Sequence, residues 1–430
     1  MATTSATLAS YANVLQYRYL PNMRSAVYTG APLLDFIQKQ GTFEDPLRKI
    51  KPGLRTKDIK TPSGGWGKAI TWDIHTGQNW GIGARNPVQS AATGYLPKAG
   101  SQDYVEASLL SKSYFGMGEI DGNLIDSQGP SAAGIRALNQ EMKAIPPQMR
   151  RQINMDLYLA GDGIIATIQT SGATVTNAVC DSVRNLEVGQ PIVIAASDGT
   201  SAVARTITAI NRTTKTITIA ATGTTGGKTS IFRAGIHNTN VASEANNTLA
   251  GLGMIVSDTV DYAGLDRSEA AYEKTRSYVP PAIPQANFSI DHLEDALFEL
   301  AKRGAEPNLI VCDNNFYKLY GGLYWGQGRW EMQQKKIDYG YPALEYQGVP
   351  MVRDYACPEW TAFILDTSLL TLGIERDLDI MNADGNELVR MWGSEDAKRD
   401  AYAWGFCTRL NLMCSLPGAL GKLTITPTGS

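Results

Sequence analysis

Residues 222–229 (TGTTGGKT) have the composition of a phosphate-binding loop, because the segment ends in Gly-Lys-Thr. Such a loop holds phosphate groups with backbone amides that lead into the amino terminus of a helix. Here Thr222 stands where the first glycine is required, and the following residues 230–233 (SIFR) have strand character instead of helical character. We therefore interpret the segment as a turn between two strands.

Two other binding motifs are incomplete. Residues 382–385 (NADG) suggest part of a calcium loop, but Ile380 occupies the first ligand position and Met391 occupies the position of the bidentate glutamate. We predict a hairpin turn at this place. Gly251 and Gly253 begin a dinucleotide-binding pattern, but Val256 stands where the third glycine should be and no strand precedes it. The sequence predicts no cofactor.

Histidines and cysteines are few and scattered. His75, His237 and His292 form no H-E-x-x-H pair, and the chain has no G-x-S-x-G elbow. The five cysteines form no C-x-x-C pair, so neither a zinc site nor a disulfide framework is indicated, and a reducing cytoplasm fits. Apolar and aromatic neighbours favour buried structural thiols at Cys312 and Cys357 over nucleophiles. We expect a protein that is not an enzyme and binds no metal.

The composition limits the classes of protein further. With 430 residues, of which 43% are hydrophobic and 19% charged, the chain exceeds the usual size of one domain, so we expect two or three lobes. Lys plus Arg number 39 against 42 Asp plus Glu, a net charge of −3 that argues against a dedicated nucleic-acid binder. No apolar run has the length of a membrane span or of a signal peptide, so we expect a soluble protein that is not exported.

The first sixty residues contain an arm and a basic segment. Small polar residues up to Ser10 precede apolar and aromatic residues that no periodic element can pack, so Tyr11, Tyr17 and Tyr19 should contact a neighbouring surface. The basic segment has six cations against the single acid Asp58, and a solvated, locally paired surface and a contact with nucleic acid or another subunit both fit it. Its cations are Arg48, Lys49, Lys51, Arg55, Lys57 and Lys60.

A long hairpin and a long helical segment come next. Residues 63–118 carry Trp66, Trp72 and Trp80 among many glycines, and the strand-like flanks predict a two-stranded hairpin that must lie on another surface to be stable. Helical spacing follows over 132–159. It is broken by Pro146-Pro147, which predicts a kinked long helix or two helices.

The remainder mixes strands and helices. Residues 174–232 consist of short β-branched runs with turns, which predicts a small all-β module, a meander or a barrel, inserted into the larger chain. An amphipathic helix begins at Ser289 and ends before Gly304. Because there is no regular βαβ alternation, the predicted class is α+β. Further predicted elements are a strand at 309–312, a helix at 315–320 and strands at 362–365, 378–381, 387–392 and 401–414.

This order of arm, Gly- and Trp-rich hairpin, long helix, β module and closing strands resembles the major capsid proteins of tailed bacteriophages. Residues 98–126 and 399–425 look most like that family. The resemblance implies a Hong Kong 97-like capsid fold with an N-terminal arm, an extended loop hairpin, a long spine helix, peripheral and axial domains, and an inserted small all-β domain. Pro146-Pro147 departs from the continuous spine helix of the family, and its smallest members lack the β insertion.

The resemblance also divides the chain and suggests contact residues. Aromatic residues concentrate binding energy at interfaces, although packing on the hairpin itself or on the body beneath it is an equal alternative for each of them. The interface candidates are Tyr11, Tyr17, Tyr19, Trp66, Trp72, Trp80 and Tyr95. The implied divisions are the arm at 1–50, the extended loop and hairpin base at 51–125, the spine helix at 126–165, the inserted β domain at 166–236, a mainly axial domain at 237–372, and closing strands of both domains at 373–430.

The function implied by the resemblance is that of a major coat protein. Its copies would form hexamers and pentamers of an icosahedral shell around double-stranded DNA, made in the host bacterial cytoplasm and present in the virion. Implied partners are the chain itself, portal and scaffold proteins, decoration proteins as a further option, and DNA held by non-specific contact with the basic segment, with no membrane. Two alternatives stay open: the shell of an encapsulin-type compartment, and an enzyme or binding protein with a grafted β module.

Overall fold

The computed structural model describes residues 27, 30–41, 55–60, 66–77, 79, 81–82, 100–121, 132–169, 176–197, 199–219, 229–234, 247–326, 335–336, 342–381, 389–394 and 397–428. The helices with described bounds are α1 (Pro32–Phe36), α2 (Ala132–Asp156), α3 (Leu252–Ile255), α4 (Asp291–Lys302) and α5 (Asn314–Gly326). Short 3-10 helices lie at Ala270–Thr275, Gln285–Asn287 and Pro417–Ala419.

The described strands form four sheets. In chain order, the first strands are β1 (Gln38–Gly41), β2 (Arg55–Lys60), β3 (Trp66–Gly77), β4 (Asp103–Leu110), β5 (Lys112–Asp121), β6 (Ala166–Thr167), β7 (Asn177–Val179), β8 (Pro191–Ala195), β9 (Val203–Asn211), β10 (Thr216–Ile219) and β11 (Ser230–Arg233). The others are β12 (Ile283–Pro284), β13 (Leu309–Cys312), β14 (Lys335–Lys336), β15 (Pro342–Tyr346), β16 (Val349–Arg353), β17 (Thr361–Leu365), β18 (Leu370–Ile380), β19 (Val389–Ser394), β20 (Ala397–Cys414) and β21 (Gly421–Thr426).

The sheet of the body is built around the long strand β20. Strands β18 and β19 pair with successive parts of β20 along one of its edges. Strand β5 pairs with residues 401–410 of β20, a stretch that overlaps both of those parts, so β5 lies along the other edge of β20. The short strand β1 adds to β18 in parallel. Apolar residues such as Leu372, Phe406 and Leu412 are buried between this sheet and the elements that cover it.

Helix α2 covers one face of the body sheet. Met142, Ile145, Met149 and Ile153 are spaced by three or four residues and are buried, as one face of a helix requires. Strand β5 presents Gly116 to this face, where an added Cβ would lie 2.5 Å from Ile145 and 2.8 Å from Met149. The glycine therefore permits the close approach of helix and strand.

The two prolines lie inside α2, which runs as one element from Ala132 to Asp156. Of the two arrangements that the sequence allowed, the one with a single long helix is observed. Proline removes a backbone hydrogen bond, but Ile145 and Met149 on either side of Pro146-Pro147 pack against β5 and hold both halves on the same sheet.

A seven-stranded sheet, in the order β12-β21-β17-β13-β16-β15-β14, forms the second lobe. All four residues of β13 are buried, which is why this strand is an uninterrupted apolar run. Helix α4 packs Leu293, Ala296 and Leu300 onto the core of this lobe, and Gly304, with φ of +80°, follows its carboxyl end as predicted.

Residues 166–233 form a closed six-stranded barrel. The strand order is β6-β11-β8-β9-β10-β7, and a bridge between Ile168 and Cys180 joins the first strand to the last. The Gln169 N–H donates to the Val179 carbonyl over 2.8 Å beside this bridge. Ile192, Ile207 and other aliphatic residues fill the interior as a separate cluster. Closure leaves the barrel without an open sheet edge.

The α+β class predicted from the sequence is confirmed. The segment with the phosphate-loop composition leads into strand β11, as the interpretation as a turn requires, although most of the turn itself lies outside the described residues. The predicted turn at 383–386 also lies outside them. Gly251 precedes the short helix α3, and a Cβ there would collide with the Asp156 and Leu159 carbonyl oxygens, so close packing explains this glycine without a nucleotide.

Candidate subunit interface

The base of the predicted hairpin is part of the main core. Strands β2, β3 and β4 form a three-stranded antiparallel sheet in that order. Ile70 and Ile74 on β3 and Ala107 on β4 are fully buried in the core of the body. The Ser108 N–H donates to the Ala263 carbonyl over 3.1 Å, which adds a backbone link between the hairpin and the body. The base is therefore fixed by the chain itself.

Trp72 is the central anchor of this attachment. Its side chain is buried, its indole N–H donates to the Cys414 carbonyl over 3.1 Å, and its ring lies 6.2 Å from the Tyr262 ring. A tryptophan in this position has little surface left for a neighbouring copy. Of the two interpretations that the sequence left open for Trp72, its position favours packing on the body of its own chain.

Other apolar side chains of the hairpin point away from the body. Tyr104 on β4 is exposed, and its ring lies tilted against the ring of His75 on β3, with centroids 5.2 Å apart. Ile82, just beyond the end of β3, is 88% exposed. An aliphatic side chain with so little cover is stabilised when another surface removes it from water.

A second exposed group lies on the outer face of the body sheet. Phe115 is 55% exposed and Met117 is 47% exposed, and both point away from α2 because they alternate with Gly116. Met117 is paired with Gly405, and the Met381 N–H donates to the Gly405 carbonyl over 2.7 Å. Phe115, Met117 and the exposed Met381 thus form one cluster, here called the apolar patch.

Charged residues border the apolar patch. Arg409 and Glu375 approach to 3.6 Å, and Arg376 and Asp379 approach to 3.7 Å. The Arg376–Asp379 pair is 40% exposed on both sides and contributes little to stability, whereas in the other pair Arg409 is 45% exposed and Glu375 only 9%. A polar rim around an apolar centre is the usual anatomy of a protein interface.

Two buried carboxylates connect α2 to the rest of the chain. Asp156 accepts hydrogen bonds from the Tyr114 hydroxyl at 2.9 Å and from Arg233 at 3.3 Å, and its burial raises the pKa of its carboxyl. Asp354 accepts hydrogen bonds from Tyr158 at 2.9 Å and from Asn154 at 3.2 Å, and burial likewise raises its pKa. Both carboxylates are enclosed by partners from their own chain, which suits a structural role.

The cysteines lie in the interior. All five are free and buried, as the sequence predicts for Cys312 and Cys357. Burial raises the pKa of Cys180 and of Cys414 to about 12, so their thiols stay protonated at neutral pH. Among the described residues no cluster of three or more His, Cys, Asp or Glu has the arrangement of a metal site. No helix in the same residues has the length and apolar character to cross a membrane.

The remaining predicted site residues divide into two groups. Tyr11, Tyr17, Tyr19, Trp80, Tyr95, Arg48, Lys49 and Lys51 lie outside the described residues. Arg55, Lys57 and Lys60 lie on β2 and Trp66 lies on β3, where only the backbone is described. In the pairing of β2 with β3, Lys60 is opposite Trp66 and Lys57 is opposite Ala69. Three of the six cations of the basic segment therefore lie on the strand next to β3.

The apolar patch is absent from the sequence predictions. A signal for it exists in the stretch 114–118 (YFGMG), because glycines alternate with large apolar residues. In a strand this pattern gives one face that admits a close neighbour and one that carries Phe115 and Met117. Met381 comes close to Met117 because both lie beside Gly405 of β20, and the pairing of Met117 with Gly405 spans 288 positions, which the local pattern does not contain.

Comparison with known proteins gives matches among solved structures only. No family model and no curated protein matches the chain. The chain is similar to a cyanophage A-1(L) capsid asymmetric unit, with 13% identity, 83% of this chain and 87% of that chain covered, and a TM-score of 0.48. A structure from Mycobacterium phage Bobi matches with 10% identity, 99% of each chain covered and a TM-score of 0.44. The holo-SrpI encapsulin complex from Synechococcus elongatus PCC 7942 matches with 9% identity, 99% and 96% coverage and a TM-score of 0.39.

Proposed function

We propose that the chain is the major coat protein of a tailed bacteriophage and assembles into the hexamers and pentamers of an icosahedral shell. The observation that carries the proposal is the pairing of a firmly anchored hairpin base with apolar side chains that the chain leaves in water. Trp72 and Ile70 fix the base in the core, while Ile82 and the apolar patch are exposed. Exposed apolar clusters with polar rims mark interaction sites.

A shell explains why these exposed groups lie on different elements. A subunit that forms closed rings uses heterologous contacts, in which one surface of a copy meets a different surface of the next. A hairpin that reaches over a neighbour and a sheet face that receives one would be two such surfaces. Each would be covered only after assembly.

The same proposal assigns the lobes. The body sheet with α2 corresponds to the peripheral domain and spine helix, the seven-stranded sheet to the axial domain, and the barrel to the inserted β domain. Residues 1–50 would act as the arm and 51–125 as the extended loop with its base. The other aromatic candidates of these segments, Trp66 among them, remain proposed contacts between subunits. Trp72 is buried, so we propose the apolar patch as a contact in its stead.

DNA and the other partners are a further part of the proposal. A shell that encloses double-stranded DNA needs only local positive charge on its inner surface, and a chain of net charge −3 with one basic segment satisfies this. The basic segment would contact DNA without sequence preference, and portal and scaffold proteins would be partners in the host cytoplasm. The protein would catalyse no reaction.

The test compares two surfaces of the same chain. In one variant Phe115→Ser and Met117→Ser are combined, and in the control Val188→Ser changes an exposed valine of the barrel. Both are expected to fold, because these side chains are exposed. Negative-stain microscopy and size-exclusion chromatography should find shells or rings for the wild type and the control, and loss of assembly for the patch variant.

The contents of the particles separate the alternatives. Packaged double-stranded DNA supports the phage coat protein, whereas a cargo enzyme in place of DNA would support an encapsulin-type compartment. Equal assembly of the patch variant and the control would refute the role of the apolar patch.

A further inference from the structure

Ion pairs connect the barrel to two separate parts of the molecule. Arg233 of β11 approaches Asp156 of α2 to 3.3 Å, and Glu187, in the loop between β7 and β8, approaches Arg151 of α2 to 2.7 Å. Lys215, in the turn between β9 and β10, lies 2.7 Å from Glu359 in the loop between β16 and β17. Because the barrel has its own apolar cluster, these polar contacts are prominent in its attachment to both parts.

Arg184 makes the most extensive of these contacts. It lies in the loop between β7 and β8, where Val183 and Leu186 are buried in the barrel and direct Arg184 outward. Its guanidinium lies 2.5 Å from Asp313 at the end of β13 and also donates to the carbonyl groups of Tyr355 and Cys357. One side chain thus joins two loops of the seven-stranded sheet.

Burial distinguishes this contact from the surface pairs. The side chain of Asp313 is 1% exposed and that of Arg184 is 26% exposed, whereas Arg151 and Glu187 are 51% and 58% exposed. Asp313 also accepts the backbone N–H groups of Asn315 and Trp360. A buried carboxylate that loses its cation is strongly unfavourable, so this pair should resist salt, whereas the exposed pair is screened by it.

We propose that the Arg184–Asp313 pair is a latch that holds the barrel, which is attached to α2, against the loops of the seven-stranded sheet. When the latch opens, the barrel stays on α2 through Arg233 and Asp156 and moves as a folded unit away from the sheet. The inference concerns this chain alone and does not depend on the proposed shell.

The test measures two distances from the barrel. Spin labels are attached at Ala209→Cys on β9 and at either Glu306→Cys, before the seven-stranded sheet, or Ala144→Cys on α2, all at exposed positions. The native cysteines are buried and should stay unlabelled. Labelled protein is diluted with unlabelled full-length chain, so that only distances within one chain are measured.

In the wild type both distance distributions should be narrow. Arg184→Met should broaden the 209–306 distribution about twofold and leave the 209–144 distribution narrow, since the barrel moves as a rigid unit. The double variant Arg184→Met with Asp313→Asn, which removes the unpaired buried charge, should give the same result. Arg151→Gln removes one exposed pair, and about 1 M salt screens both that pair and Lys215–Glu359; neither treatment should change either distance.

Three results would overturn the proposal. An unchanged 209–306 distance in both latch variants would mean that other contacts hold the barrel. Broadening of both distances, together with loss of hydrogen-exchange protection in the barrel, would mean that Arg184 supports the barrel fold. Broadening of the 209–306 distance in the wild type at high salt would assign the latch to the surface pairs.

Discussion

The barrel and the hairpin both project from the body, but different interactions attach them. Strands β3 and β4 of the hairpin place Ile70, Trp72 and Ala107 in the same apolar cluster as α2 and the body sheet. The barrel fills its interior with its own aliphatic residues, and charged side chains join it to the body, through Arg233, and to the seven-stranded sheet, through Arg184. A shared core makes the hairpin base part of the folding unit of the body, whereas a separate core makes the barrel a unit of its own.

The barrel and the hairpin also differ in their sheet edges and in their exposed apolar side chains. The barrel closes through Ile168 and Cys180 and has no open edge. The hairpin sheet is open, and Tyr104 and Ile82 near it remain exposed. Closed sheets resist pairing with other chains, and open ones favour it. Under the proposed function, the hairpin would serve contacts between copies, whereas the barrel would contact its own chain.

Trp72→Ala should give the largest effect. It removes a buried indole, its hydrogen bond to Cys414 and its contact with Tyr262 from the shared core, so it should lower the free energy of unfolding by about 3–5 kcal/mol. Urea denaturation followed by circular dichroism measures the change. The control Trp72→Phe keeps most of the apolar volume and should cost about 1 kcal/mol through the lost hydrogen bond. Equal and small losses for both variants would show that the hairpin is not part of the core.

Leu186→Ala should be costly only within the barrel. Leu186 is fully buried there, and its truncation should destabilise the barrel by about 2–5 kcal/mol. Hydrogen exchange should increase in peptides of β8 to β10 and stay unchanged in β18 and β20. Val188→Ala in the same loop is exposed and should change stability by less than about 0.5 kcal/mol. Uniform loss of protection across body and barrel would contradict their separate cores.

The buried carboxylate of Asp354 should make the body sensitive to pH. Burial raises the pKa of this carboxyl, so its contribution to stability is fully present below the unfolded pKa and is lost as pH rises through the folded pKa. Relative to Asp354→Asn, the wild type should therefore become more stable as pH falls from neutral to about 4, the ordinary pKa of an unfolded aspartate. Urea midpoints of both proteins at the two pH values measure this. A difference that is constant with pH would contradict the assignment.

Arg151→Gln should give the smallest effect. The Arg151–Glu187 pair is exposed on both sides, so its loss should lower the free energy of unfolding by less than about 1 kcal/mol. The same variant in about 1 M salt should be indistinguishable from the wild type in its urea midpoint. A loss comparable with that of Trp72→Ala would mean that surface charge holds the barrel as firmly as apolar packing holds the hairpin.

Local patterns predicted the elements better than their assembly. Helix α4, strand β13 and the strand after residue 229 follow from spacing and β-branched runs near each residue. Closure of the barrel depends on the pairing of Ile168 with Cys180, and the latch joins Arg184 to Asp313 across 129 positions. Such contacts depend on the relative placement of whole elements, which periodicity does not encode.

The candidate interface was only partly predicted, because it too depends on the relative placement of whole elements. Aromatic richness marked the hairpin, but the residue type of Trp72 did not reveal whether it packs inward or outward. The apolar patch was missed because it combines Phe115 and Met117 of β5 with the distant Met381, which follows β18 on the opposite edge of β20. Sequence periodicity gives the faces of a strand, and strand order decides which faces meet.

The most direct test of the proposed coat function is the mass and shape of the particle formed by the purified wild-type chain over a range of concentrations. Light scattering coupled to size-exclusion chromatography, with electron microscopy of the same fractions, should find rings of five and six copies or closed shells. A stable monomer at every concentration, with no rings and no shells, would contradict the account.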